Sequence, residues 1–322
     1  MLASEKPAMF CPICSSDRTV RRRELYDDRH GYPGLFDLYQ CRECGHGYLR
    51  PALPPETLAT LYTEYYPRAR FDVSRYCPAE ERRGFRSWLR GDRRSAYMWV
   101  PQRVRVLDIG CGMAETLGYH RARGCEVSGV EADENVRRIA EAHGFDVHVG
   151  LFDPGRYDEG AFDYVTMDQV IEHVQDPTET LRGVARVLKN GGSAVLSTPN
   201  IEGWGARLFG RAWINWHAPY HQHLFSARSM AHVAAQAGLV LERAVTITNS
   251  DWLFLQWAHL STRPRPGQPS GFWSPKGQMS LLKRVWVRGL RVLHRTMLDH
   301  IITRVFDGLH LGDNFVFILR KP

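Results

Sequence analysis

Two cysteine pairs, Cys11-Pro-Ile-Cys14 and Cys41-Arg-Glu-Cys44, have the spacing of knuckles that each present two thiolates to one ion. Four thiolates around zinc make a closed, tetrahedral, structural site. The 26 residues between the pairs slightly exceed the usual separation. Gly45 and Gly47 suit the turn that a knuckle backbone needs. The competing readings are a redox C-x-x-C and four unrelated cysteines. His46 could substitute as a ligand, but with four cysteines at hand it is expected in solvent. Cys77, Cys111 and Cys125 have no partner at metal spacing and read as packing residues.

A second group of residues suits the holding of a charged ligand. In Val104-Arg-Val-Leu-Asp-Ile-Gly-Cys-Gly-Met-Ala-Glu115 a buried strand ends at Asp108, and Gly110 and Gly112 turn the chain into a helix. Glycines let the backbone approach a ligand, and a helix N-terminus offers free N–H groups. The next strand ends at Glu131, 21 residues after Gly110, where a carboxylate can accept both hydroxyls of a ribose. Glu115 stands where a dinucleotide fingerprint wants glycine, so that fingerprint fails.

Proton chemistry points to two further places. Glu172-His173 follows the fourth candidate strand, and histidine titrates near neutrality. The segment Trp213-Ile-Asn-Trp216-His-Ala-Pro-Tyr220-His-Gln-His223-Leu-Phe-Ser226 crowds Trp216, His217, Tyr220, His221 and His223 into one loop, and aromatic walls suit sugar rings or flat phenols. A zinc site built from these histidines lacks a carboxylate at ligand spacing.

These residues need a frame, and the middle of the chain supplies one. Strand patterns at Val104–Ile109, Cys125–Val130, Asp146–Val149, Phe162–Met167 and Ser193–Ser197 alternate with helical patterns, which predicts a doubly wound, mostly parallel α/β sheet. Asp176 to Lys189 reads as a helix, with Asp176 as cap, Pro177 in the first turn and Glu179 completing a capping box. A second helix runs from Ser226 to Gly238, and strands at Leu239–Ile247 and Phe315–Leu319 complete the sheet. The chain has 322 residues, 43% hydrophobic and 24% charged, enough for a full core. No apolar run is long enough to span a bilayer, and no secretory pattern opens the chain. A cytoplasmic location with reduced cysteines is therefore expected.

The ordered motifs V-L-D-I-G-C-G, G-V-E-A-D, F-D-Y-V-T-M-D-Q-V-I-E-H-V-Q-D-P, L-K-N-G-G and S-T-P-N resemble those of class I S-adenosylmethionine-dependent methyltransferases. The resemblance implies a Rossmann-like core with S-adenosylmethionine as cofactor. It implies that Asp108 and the Gly110–Gly112 backbone hold the methionine moiety and that Glu131 holds the ribose. Leu151 and Phe152 would border the adenine, and Gln169 would line the methionine end. Ala114 replaces a glycine found in many members, which implies a slightly altered turn. The zinc-ribbon-like module followed by Leu58-x-x-Leu-Tyr62-x-x-Tyr65-Tyr66 is similar to a branch that includes sugar C-methyltransferases and related natural-product and polysaccharide enzymes. There the Glu-His pair does acid–base work, so Glu172 and His173 inherit that expectation. His223 matches the branch's histidine before the next helix and, with Tyr220, would orient the acceptor. Tyr65 or Tyr66 would reach over the cofactor as a lid.

The predicted layout is a zinc module and lid over 1–85, a cofactor-binding core over 86–250, a basic and aromatic insertion over 251–311, and a last strand over 312–322. The expected partner is a small-molecule acceptor: a sugar, a nucleotide-linked sugar, or a phenolic or polyketide metabolite. An RNA methyltransferase would fit the net charge of +7, but no recognised RNA module is present. A non-catalytic zinc adaptor would not need Asp108, Gly110, Gly112 and Glu131 together. Residues 276–306 read as one basic amphipathic helix, either a lid packed on the core or an element that touches anionic lipid.

Overall fold

The computed structural model describes residues 10–54, 57, 60–65 and 73–322. Strands β1 (Thr19–Leu25), β2 (Phe36–Cys41) and β3 (Gly47–Arg50) come first, and helix α1 (Phe85–Arg90) follows. Strand and helix then alternate through β4 (Arg105–Ile109), α2 (Glu115–Ala122), β5 (Glu126–Glu131), α3 (Val136–His143) and β6 (Asp146–Val149). The pattern continues with β7 (Phe162–Asp168), α4 (Pro177–Val187) and β8 (Leu188–Pro199). Helix α5 (Trp204–Leu208) precedes the Trp/His loop, which carries β9 (His223–Leu224) and leads to α6 (Ala227–Gln236) and β10 (Val240–Thr246). Helices α7 (Asp251–Thr262), α8 (Leu281–Arg295) and α9 (Leu298–Gly308) precede β11 (Asn314–Arg320).

The main sheet has the order β10-β11-β8-β7-β4-β5-β6. Only β11 runs antiparallel to its neighbours, β8 and β10. Val106, Leu107, Val165, Met167, Ala194 and Leu196 are fully buried, as strands covered on both faces require. The winding reverses between β4 and β7, and open α/β sheets bind ligands outside the carboxyl ends of the strands at that point. Helix α4 behaves as its sequence predicts: the Asp176 carboxylate accepts from the Thr178 and Glu179 amides, both at 2.9 Å. Glu179 does not return the bond of a capping box; its side chain pairs with Arg182 instead.

The small sheet has the order β1-β2-β3-β9, so its fourth strand comes from the Trp/His loop. Gly47 permits this join, because a Cβ there would sit 2.4 Å from Ile201 Cδ1. Three expectations change. The predicted helix over 276–306 is two helices, broken at Met297, whose φ of 63° is left-handed. Cys77 is exposed and is no packing residue, whereas Cys111 and Cys125 are buried. His46 is fully buried between Tyr48, His223 and Phe225. No helix among the described residues is long and apolar enough to cross a membrane.

Candidate active site and zinc module

At the end of β4 the Asp108 carboxylate is buried and accepts from two hydroxyls, Thr116 and Thr166, the latter at 2.7 Å. Burial pushes its carboxyl up to about 6 even against those bonds. The turn that follows is tight: Gly110 has φ 77°, and a Cβ there would meet Val170 Cγ2 at 2.4 Å. Ala114 holds φ 64° without being glycine, so the altered residue keeps the left-handed turn and bears its cost. Glu131, at the end of β5, accepts from the Gly112 and Asp133 amides, both at 2.9 Å. A carboxylate has about four lone-pair sites, so Glu131 can take ligand hydroxyls besides. Leu151 stands open at the rim with 82% exposure, and Phe152 stacks on Tyr157 beneath it. Gln169 donates from Nε2 to Ser197 Oγ and Asn314 Oδ1, both at 2.9 Å. It lines a small pocket with Arg94, Asn215, Trp252, Asp313 and Asn314. Tyr66 lies outside the described residues.

Beyond β7 the acid–base candidates converge. Glu172 is fully buried; its Oε2 accepts from Thr198 Oγ1 at 3.0 Å, while Oε1 has no hydrogen-bond partner among the described residues. Burial pushes this carboxyl up to about 8. His173 Nδ1 lies 3.0 Å from the Tyr220 carbonyl and 2.9 Å from the Tyr62 hydroxyl. A carbonyl can only accept, so Nδ1 carries the proton and Nε2 keeps a lone pair. The imidazolium of His173 is disfavoured by burial, down to about 4, so the ring is neutral. The same logic holds for His221, whose Nδ1 bonds the Asn215 carbonyl at 2.8 Å. One ligating atom each from Glu172, His173 and His221 fall within 4.8 Å of one another. One histidine of the loop, His221, therefore does meet a carboxylate, supplied from the turn after β7 and invisible in the loop's own spacing.

The two acceptor-orienting candidates are placed differently. Tyr220 is fully buried, stacked on His217 and edge-on to Tyr62, and its carbonyl fixes His173. His223 spends both ring nitrogens on the protein, Nδ1 with His46 Nε2 at 3.0 Å and Nε2 with the Gln175 carbonyl at 3.3 Å. Its ring joins the zinc module to the core and is not among the three converging groups.

The four paired cysteines cluster with sulfurs within 4.8 Å of one another, Cys11 to Cys44 and Cys14 to Cys41 at 3.6 Å. That is far beyond a disulfide and close to the roughly 3.8 Å edge of a tetrahedron with zinc–sulfur bonds of about 2.3 Å. The residues fit zinc. Ser226 Oγ donates to the Cys44 carbonyl at 2.7 Å and Gln236 Nε2 to the Ile13 carbonyl at 2.9 Å, so α6 holds both knuckles.

Sequence reading missed several contributors. Tyr62 was noticed only as part of a pattern, yet it touches His173, while Tyr65 packs edge-on against Tyr32. Arg29 and His30, on the loop after β1, reach the Trp/His loop: Arg29 bonds the Ile214 carbonyl, and His30 packs edge-on against His217 and Tyr220. Asp27 holds that loop by accepting from the Arg29, His30 and Tyr32 amides. The run Asp27-Asp28-Arg29-His30 was the available signal, but nothing local shows that it folds onto residues 213–221.

Known proteins bear on this geometry. A curated relative, the ubiquinone biosynthesis O-methyltransferase of Xanthomonas oryzae pv. oryzae, is 38% identical over 105 residues, which is 30% of this chain and 44% of the relative. The enzyme of the same description from Thiobacillus denitrificans is 30% identical over 168 residues, 47% of this chain and 72% of its own length. This chain thus spans less than half the length of most such relatives. Among solved structures, an S-adenosylmethionine-dependent methyltransferase from Thermotoga maritima superposes with a TM-score of 0.45 at 18% identity, covering 74% of this chain and 90% of that one. The methyltransferase domain profile matches residues 54–244, the stretch that carries the glycine turn, Glu131 and the Glu-His pair, and the chain belongs to that methyltransferase family.

Proposed function

We propose that this protein transfers the methyl group of S-adenosylmethionine to a small-molecule acceptor bound between β7, β8 and the Trp/His loop. The convergence of Glu172, His173 and His221 just past β7, the strand paired with β4, carries the reading. The acceptor class is a hydroxyl or carbon acid on a sugar, a nucleotide-linked sugar or a phenolic metabolite; the O-methyltransferase relatives favour a hydroxyl. S-adenosylmethionine supplies an electrophilic methyl on a sulfonium. Asp108, the Gly110–Gly112 backbone, Glu131, Leu151, Phe152 and Gln169 are the proposed holders of this cofactor. The chain's own work is to exclude water, to hold the acceptor in line and to take its proton. His173 receives that proton at Nε2, with Tyr220 and Tyr62 fixing the ring through Nδ1. The zinc module is structural: it holds β9, and with it the Trp/His loop, in place.

A second reading puts a divalent cation among Glu172, His173 and His221. The buried Glu172 Oε1, without a hydrogen-bond partner among the described residues, favours it, as do the backbone carbonyls that fix both imidazoles. The cation would then lower the pKa of a bound hydroxyl, and His173 would ligate in place of accepting a proton. Turnover with a panel of catechols and nucleotide sugars tests the main reading; no methyl transfer to any hydroxylated acceptor counts against it. Tight binding of Mn²⁺ that is lost in His221→Ala while zinc stays bound would favour the second.

A further inference from the structure

Helices α8 and α9 turn apolar side chains outward over two full faces. With 3.6 residues per turn, Leu281, Leu282, Val285, Trp286, Val292 and Leu293 share one side of α8. All six are exposed, Leu282 at 83% and Trp286 at 59%, while only Val287 of this helix is buried. In α9 the exposed side consists of Leu298, Ile301, Ile302 and Val305, continued by Leu309. Phe85 and Trp88 are exposed on α1, which packs against α9. Single exposed apolar residues are ordinary, but apolar faces of this extent on helices that touch one another mark a surface that something covers.

Charge identifies the cover. Helix α8 carries Lys283, Arg284, Arg288, Arg291 and Arg295 and no acidic residue. Arg284, Arg288, Arg291 and Arg295 form a stripe along one border of the apolar face. All four are exposed. A second copy of this chain laid against the face would set cation against cation. An anionic bilayer takes the apolar side chains into its headgroup boundary and pairs the flanking cations with lipid phosphates. We propose that α8 and α9 dock this protein on an anionic membrane surface, with the α8 axis lying in the interface. Helix α7 lies between this platform and the candidate active site: it packs on α8 and contributes Trp252 to the pocket beside Gln169. Docking would therefore bring the methyltransferase core, through α7, close to the bilayer surface. The docking inference does not depend on the reaction proposed above, since it is read without turnover.

Co-sedimentation of the full chain with vesicles tests it. Binding is expected to phosphatidylglycerol/phosphatidylcholine vesicles and not to phosphatidylcholine alone, and should fall steeply as salt shortens the Debye length below its physiological value of about 8 Å. Leu282→Glu/Trp286→Glu should weaken vesicle affinity at least about ten-fold, and Arg288→Glu/Arg291→Glu should do the same at low salt. Both variants should keep the wild-type melting temperature and S-adenosylmethionine affinity. Equal binding to neutral vesicles, no binding to anionic ones, or unchanged binding by both folded variants would overturn the proposal. So would a stable dimer that Leu282→Glu/Trp286→Glu dissociates, because a second copy would then cover the face.

Discussion

The turn after β4 and the cluster around His173 sit at one edge of one sheet, yet they are assembled by different means. Asp108, Gly110, Gly112 and Glu131 belong to a single β-α-β unit, and each is held by groups within that unit or the adjoining β7. The His173 cluster draws Glu172 from the end of β7, His221 and Tyr220 from the Trp/His loop, and Tyr62 from the segment before the core. The zinc module then locks the loop through the β3–β9 pairing and the His46–His223 bond. A local site tolerates change elsewhere in the fold, whereas a site gathered from three segments depends on whatever holds the segments together.

The sharpest test of this contrast is His173→Ala. Methyl transfer should fall roughly 10²–10⁴-fold, the worth of a positioned general base, while calorimetry shows S-adenosylmethionine affinity nearly unchanged. Loss of both together would mean that the two halves are one unit. Elemental analysis should find one zinc per chain, and Cys44→Ser should abolish it and loosen the module. That substitution should also depress turnover through the β9 strand and leave cofactor affinity closer to normal. A variant without zinc but with full turnover would separate the module from the acceptor site.

Asp313 offers a test by pH. It is buried and accepts from Trp213 Nε1 and the Gly205 amide, and burial still pushes its carboxyl up to about 7. The folded state therefore binds its proton more tightly than the unfolded chain does. Stability should fall as pH rises from about 4 to about 7, and denaturant melts of Asp313→Asn should show a flatter profile over that range. Glu131→Ala should weaken S-adenosylmethionine binding by about 1–3 kcal/mol, with unchanged affinity rejecting its ribose role. The smallest effect is expected for Ala114→Gly. Relief of a left-handed conformation and loss of a buried methyl oppose each other, so stability should move by less than about 1 kcal/mol and cofactor affinity should hold.

Much of the core could be read before any coordinates. Alternating apolar strands and amphipathic helices repeat over short windows, and the Asp176 cap, the Ser226 cap and the glycine turn are each encoded by neighbours in sequence. The two C-x-x-C pairs were legible for the same reason, since each knuckle is a local turn. Reading failed where the decisive contact was remote. His46 looked like a solvent residue because nothing nearby in sequence shows that β9 will pair with β3 and bury it. The hydrogen bonds of His223 to His46 and Gln175 likewise emerge only when the loop folds back. The helix predicted over 276–306 had an unbroken amphipathic pattern, and its break at Met297 has no signal of the glycine or proline kind.

Hydrophobic period, turn chemistry and ligand spacing act over a few residues, and so the strands of the main sheet, the glycine turn after β4 and the four-cysteine set were legible in sequence alone. The tertiary structure alone decided which histidine stands with Glu172, which tyrosines fix it and which apolar helical faces remain uncovered. Those are outcomes of packing between distant segments, and the free energy of such contacts depends on partners that no local window contains.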